Sequence, residues 1–124
     1  MNKSIPLYYN EDETAFGVLV SYGYGAGWGT WEGRELAYDK RVIEFWLAHR
    51  DDDQWMREVE DYRPESPAHK EARAFFKEIG FTECPYLGGF ADCELEWVPV
   101  GAHFRIDEYD GNESLEIEHE GSWW

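Results

Sequence analysis

Ten carboxylates crowd the last 33 residues of this 124-residue chain: Asp92, Glu94, Glu96, Asp107, Glu108, Asp110, Glu113, Glu116, Glu118 and Glu120. Only one base, Arg105, stands among them, so the segment carries −10 + 1 = −9 of the chain's net −16. Side chains of this type and density could ligate a hard cation, exchange protons with a substrate, or select a basic partner by their field. A fixed face of one sign does the last without further machinery.

The first two chemistries fail on spacing. Asp110-x-Asn112-x-Ser114 begins like a calcium loop, but Leu115 stands where the sixth-position Gly is needed and Gly121 where the closing Glu is needed. His103 and His119 could meet across a hairpin end with Glu118 beside them, yet no fixed third ligand accompanies them. Asp51-Asp52-Asp53 points three carboxylates in three directions and reads as a helix cap. Paired carboxylates for glycoside chemistry select no particular pair in a chain this acidic. No nucleophile elbow, His-Glu-x-x-His helix or Cys/His nucleophile pattern is present. The sequence therefore points to binding, with no catalytic residue, metal site or cofactor to assign.

The elements that position these acids can be read from alternation. Cys93–Trp97 alternates Cys93, Leu95 and Trp97, expected inward, with Glu94 and Glu96, expected outward. Phe104–Tyr109 and Glu113–His119 flank Asp110-Gly111, a strong two-residue hairpin signal. That loop sets Ile106 opposite Leu115 and Phe104 opposite Ile117. On the other face Arg105 lies opposite Glu116, His103 opposite Glu118 and Asp107 opposite Ser114. A one-residue slip would mix apolar and charged positions on one face. At the tip Glu108 meets Glu113, a like-charge pair that destabilises by up to about 1 kcal/mol; an exposed tip is the expectation. Alternate residues on one face of a strand lie roughly 6.7 Å apart. Glu116 and Glu118, with Asp107 across and Glu94/Glu96 on a possible neighbouring strand, would form a carboxylate array suited to a groove built for phosphates. A solvated face that only confers solubility is the plainer reading.

The rest of the chain supplies the scaffold. Ile5–Tyr9 reads as a strand, Asn10–Thr14 as a turn and Ala15–Tyr22 as a second strand. In Tyr22-Gly-Tyr-Gly-Ala-Gly-Trp-Gly-Thr-Trp31, Gly occupies every second position from 23 to 29. If extended, one face is bare backbone and the other carries Tyr22, Tyr24 and Trp28. This segment either bends and caps the core with its aromatics or offers a ligand pocket; it fits neither a dinucleotide fingerprint nor a P-loop. Helices are expected over Asp39–Arg50 with Asp39 as N-cap, from Asp51–Asp53 along the stripe Trp55, Val59 and Tyr62, and over Pro67–Ile79. The last has Ser66 as N-cap, Gly80 at its exit and Phe81 folding back. Ser122-Trp123-Trp124 is expected to pack on the core. The fold class is thus α+β: one domain spanning 1–124, with an antiparallel sheet of N- and C-terminal strands packed against two or three central helices.

Seven Trp, eight Tyr and seven Phe allow so short a chain to build a core despite its charge. The absence of a basic surface argues against direct contact with nucleic acid or an anionic membrane. No apolar run is long enough to span a bilayer and the N-terminus does not resemble a signal peptide, so a cytoplasmic location is expected. Cys84 and Cys93 have neither Cys-x-x-Cys nor zinc spacing and read as reduced thiols.

The segment Tyr22–Trp31 and the run Leu87-Gly-Gly-Phe-Ala-Asp-Cys-Glu-Leu-Glu-Trp-Val-Pro-Val-Gly101 through Asp110-Gly111 are similar in style to tailed-phage proteins. In its small size, acidity and aromatic density the whole chain resembles small phage-encoded inhibitors of bacterial defence nucleases and CRISPR effectors. The resemblance implies an inhibitor in the host cytoplasm; the carboxylate array adds the expectation of a nucleic-acid mimic acting on a basic host protein such as a nucleic-acid-binding enzyme. The resemblance assigns no residue; the carboxylate array read from strand alternation gives Glu94, Glu96, Asp107, Glu116 and Glu118 as the partner-binding residues. The alternative is a small-molecule or nucleotide-binding, sequestering protein that uses Tyr22, Tyr24 and Trp28.

Overall fold

The computed structural model describes residues 5–23, 27–61, 64–81 and 83–118. In chain order it comprises β1 (Ala15–Ser21), α1 (Gly29–Glu32), α2 (Glu35–Tyr38), α3 (Lys40–His49), α4 (Asp53–Glu60), α5 (Pro67–Glu78), α6 (Leu87–Ala91), β2 (Cys93–Pro99), β3 (Phe104–Tyr109) and β4 (Asn112–Ile117). The α+β class read from the sequence holds.

β1 and β2 pair antiparallel, with Leu19 opposite Leu95 and Val20 opposite Glu94, so the two ends of the chain meet in one sheet. β3 and β4 form a separate antiparallel pair in the register argued above, from Phe104 opposite Ile117 to Tyr109 opposite Asn112. Asp110 (φ 50) and Gly111 (φ 86) make the turn. Positive φ at both central positions is what a primed turn needs, and Asp-Gly supplies it cheaply.

Both faces of β1 are buried, which explains its near-continuous apolar run. Leu19, with Cys93 and Leu95 of β2, faces a helical layer that includes Ile43, Trp46, Val59, Ala72, Phe76 and Phe90. Phe16, Val18 and Val20, with Val98, face the second hairpin through Phe104, Ile106, Leu115 and Ile117. The protein is therefore three layers: helices, a central two-stranded sheet, and an outer hairpin.

The helices start where their caps are. Asp39 accepts the Arg41 N–H at 2.9 Å, Asp52 the Trp55 N–H at 3.1 Å, and Ser66 the His69 N–H at 3.1 Å. Each satisfies a backbone donor that a helix start leaves unpaired. At the end of α5 the Phe81 N–H returns to the Phe76 carbonyl at 2.9 Å around Gly80 (φ +113). Between the helices, Phe45 stacks on Phe75 at 4.0 Å and His49 on Trp55 at 3.9 Å.

Three expectations need correction. Ile5–Tyr9 forms no strand: Leu7 bridges Asp39 and Tyr9 bridges Phe16, each in isolation. Pro6 has no N–H to give, and the chain changes partner within two residues, so no ladder can run. Trp97 is on the helix-side face as expected but remains 40% exposed, stacked on Tyr8 at 6.0 Å, because the helical layer ends before it. Glu113 at the hairpin tip, expected exposed, is fully buried. Tyr62 and Ser122-Trp123-Trp124 lie outside the described residues.

Candidate functional site

The acids singled out from the sequence stand in two tiers. Asp107 and Glu116 belong to the outer face of the β3–β4 hairpin, on either side of Arg105, which is opposite Glu116 in register. Arg105 Nε lies 3.5 Å from the Asp107 carboxylate. Glu118 continues the same row: its N–H donates to the His103 carbonyl at 2.9 Å and its carboxylate lies 3.4 Å from His103 Nδ1. The partner His119 lies outside the described residues. Glu94 and Glu96 belong to β2, which pairs with β1 and not with the hairpin, so they form a second tier below the first. A single flat array across neighbouring strands is not what the topology makes.

Glu96 is half-buried and accepts the Tyr22 hydroxyl at 2.8 Å. Burial of the phenol, and then this bond to a carboxylate, pushes the Tyr22 pKa up to about 12. Glu94 is exposed. At the hairpin tip Tyr109 is 78% exposed beside Glu108 and Asp110. Glu108 is occupied locally, accepting the Gly111 N–H at 2.7 Å.

Glu113 is the residue that sequence reasoning placed wrongly. Its Oε1 accepts the Ser21 N–H at 2.9 Å; its Oε2 accepts the N–H groups of Trp28 and Thr30, each at 2.9 Å, and the Thr30 hydroxyl. One carboxylate thus ties the outer hairpin to the end of β1 and to the Gly/aromatic segment. Asn112 adds a second tie by donating to the Tyr22 carbonyl. A buried carboxylate is tolerable when several donors replace its water. The signal was present in the sequence: positions 113, 115 and 117 share parity, so Glu113 belongs to the inward row of Leu115 and Ile117.

Of the Gly/aromatic segment, Gly27, Trp28 and Gly29 are buried. Trp28 is fully buried, donates its Nε1–H to the Leu36 carbonyl at 3.1 Å, and meets Phe90 edge-on at 5.4 Å. This position in the core is that of the core-capping alternative. Tyr22 is at the surface on Glu96, and Tyr24 lies outside the described residues. Gly89 of α6 lies against the Gly27 carbonyl so closely that an added Cβ would be 1.9 Å from its oxygen.

Both thiols are free. Cys93 is buried and held well above the ordinary thiol range by desolvation and then by nearby carboxylates, chiefly Glu113; burial lifts Cys84 to about 11. Neither is poised as a nucleophile. Among the described residues no group of three or more His, Cys, Asp or Glu side chains could hold a metal ion, and no helix is long and apolar enough to cross a membrane. In comparisons with protein-family models, curated proteins and solved structures, the chain matches none.

Proposed function

We propose that this is a non-enzymatic binding protein whose acidic hairpin and β2 rim occupy a basic, nucleic-acid-binding surface of a host protein, as a phage-encoded anti-defence inhibitor would. The observation that carries the reading is the attachment of the hairpin. Asp107, Glu116 and Glu118 project from a two-stranded ladder pinned to the end of β1 and to the start of α1 through the four donors on Glu113. Their spacing is fixed before a partner arrives, so little ordering entropy is lost on binding. Tyr109, 78% exposed at the tip, is the kind of rigid aromatic that anchors an interface. A net charge of −16 steers the protein toward basic surfaces and away from nucleic acid itself.

The reading is tested by capture from bacterial lysate on the immobilised protein, followed by elution with double-stranded DNA at constant salt. A basic nucleic-acid-binding protein released by DNA supports it. Retention of every captured protein against excess DNA contradicts it.

A further inference from the structure

We infer that the open edge of β2 takes an added strand: an extended, basic segment of the partner that pairs antiparallel along residues 94–98, with Lys or Arg opposite Glu94 and Glu96. This rests on the acidic-face reading and gives the β2 rim its mode of binding.

The β1–β2 ladder fixes which groups that edge offers. Gly17 of β1 turns its N–H away from β2, to the Tyr8 carbonyl at 2.8 Å, so Gly17 and Trp97, opposite in register, form a non-hydrogen-bonded pair. The bonds from the Tyr22 N–H to the Asp92 carbonyl and from the Val100 N–H to the Thr14 carbonyl keep the same alternation at the two ends. Glu94, Glu96 and Val98 therefore turn their peptides toward β1, and Leu95 and Trp97 turn theirs outward. Among the described residues no strand pairs with that edge and nothing bonds to those two peptides. The opening is bounded: Cys93 is buried, and Pro99 has no N–H and gives its carbonyl to Ala102.

A row of unpaired donors and acceptors is the template on which a sheet edge captures an extended peptide. The side chains decide which peptide. Glu94 and Glu96 share the hairpin-side face, opposite Val20 and Val18 in register. Toward an added antiparallel strand they hold the non-hydrogen-bonded positions, where facing side chains come closest. Basic side chains there meet a carboxylate directly, and acidic ones are repelled. On the helix side Leu95 and the exposed Trp97 offer apolar contact. Beside Cys93 a cleft of about 260 Å³, shared with Trp46 and Met56, leaves room for a further side chain. The occupant thus alternates basic and apolar residues.

A second copy of this chain fits the edge poorly. Antiparallel pairing of two β2 edges with Leu95 opposite Trp97 sets Glu96 against its own copy. With Leu95 opposite itself, Glu94 meets Glu96 twice. With Trp97 opposite itself, Leu95 meets Pro99, which has no N–H to give. The glutamates that exclude self-pairing are the ones that admit a basic strand.

The probe is a short capped peptide in which Val and Lys alternate, titrated into the full chain and read by amide chemical shifts and hydrogen exchange. Saturable shifts and slowed exchange are expected at the Leu95 and Trp97 amides. In antiparallel register the Val residues lie opposite Leu95 and Trp97 and turn their N–H groups to β2. N-methylation of Val should therefore weaken binding at least about tenfold, and N-methylation of Lys should leave it nearly unchanged. Trp97→Pro removes one outward N–H at an edge position and should bind at least about tenfold more weakly than Trp97→Val. If Trp97→Pro does not fold, the methylated peptides still decide. Equal or reversed effects of the two methylations overturn strand addition; if binding is nonetheless lost on changing Glu94 and Glu96 to Gln, the acidic-face reading stands without it. That reading fails separately, by retention of the captured protein against DNA. Leu95 and Trp97 amides already protected in the free chain, shifts mapping to the β3–β4 hairpin, or no saturable shift up to about 1 mM would each overturn the added strand.

Discussion

Glu113 reaches across 85 residues of sequence to accept the backbone N–H of Trp28 at 2.9 Å. The two residues join layers that share no strand pairing, and both are fully buried. The tie makes the acidic hairpin part of the fold instead of an appendage.

Removing that carboxylate should be costly. Glu113→Ala strands the N–H groups of Ser21, Trp28 and Thr30, and a loss of about 3–5 kcal/mol is expected in urea unfolding. That is a large part of the roughly 5–15 kcal/mol that holds a domain together. Glu113→Gln should fall between, since its amide presents a donor to donors. Glu108→Gln, directly opposite in register but exposed, should change stability by less than about 1 kcal/mol.

Gly89→Ala should destabilise by about 3 kcal/mol or more, because the new methyl would meet the Gly27 carbonyl with no flexible side chain to yield. Thermal unfolding followed by Trp fluorescence reads the effect.

The Tyr22 phenol should titrate near 12 in a difference absorbance titration of wild type against Tyr22→Phe. A raised folded-state pKa means that the contribution of this group to stability is present below the ordinary value of about 10 and is lost as pH rises from there toward 12. Burial remains in Glu96→Gln but the carboxylate does not, so the value should drop part of the way back.

Glu60 has its pKa raised by desolvation first and then by the charge and hydrogen bond of Asp92. The folded state therefore resists ionisation of Glu60, and Glu60→Gln should raise the melting temperature at pH 7. The gain should shrink as pH falls and Glu60 in the wild type takes up its proton.

Much of this fold was legible because its signals are local. Asp110-Gly111 and the alternation around it gave the full β3–β4 register; Asp39, Asp52 and Ser66 announced their helices by capping chemistry. What was not legible depends on distant partners. The donors on Glu113 come from 83 to 92 residues away, and charge type overrode the parity that placed Glu113 inward. α6, Leu-Gly-Gly-Phe-Ala, has two glycines and poor helix propensity; packing of Phe90 into the core and of Gly89 on Gly27 holds it.

The acidic face is tested most directly by neutralising it. Changing Glu94, Glu96, Glu116 and Glu118 to Gln and Asp107 to Asn takes the net charge from −16 to −16 + 5 = −11. Affinity for the protein captured by wild type should be measured for both chains at low salt and at 0.1 M and above, where screening acts within about 10 Å. The acidic-face reading predicts a loss of about 100-fold or more at low salt, a gap between the two chains that narrows as salt rises, and an unchanged circular dichroism spectrum. Wild-type affinity retained by the folded, neutralised chain would contradict it.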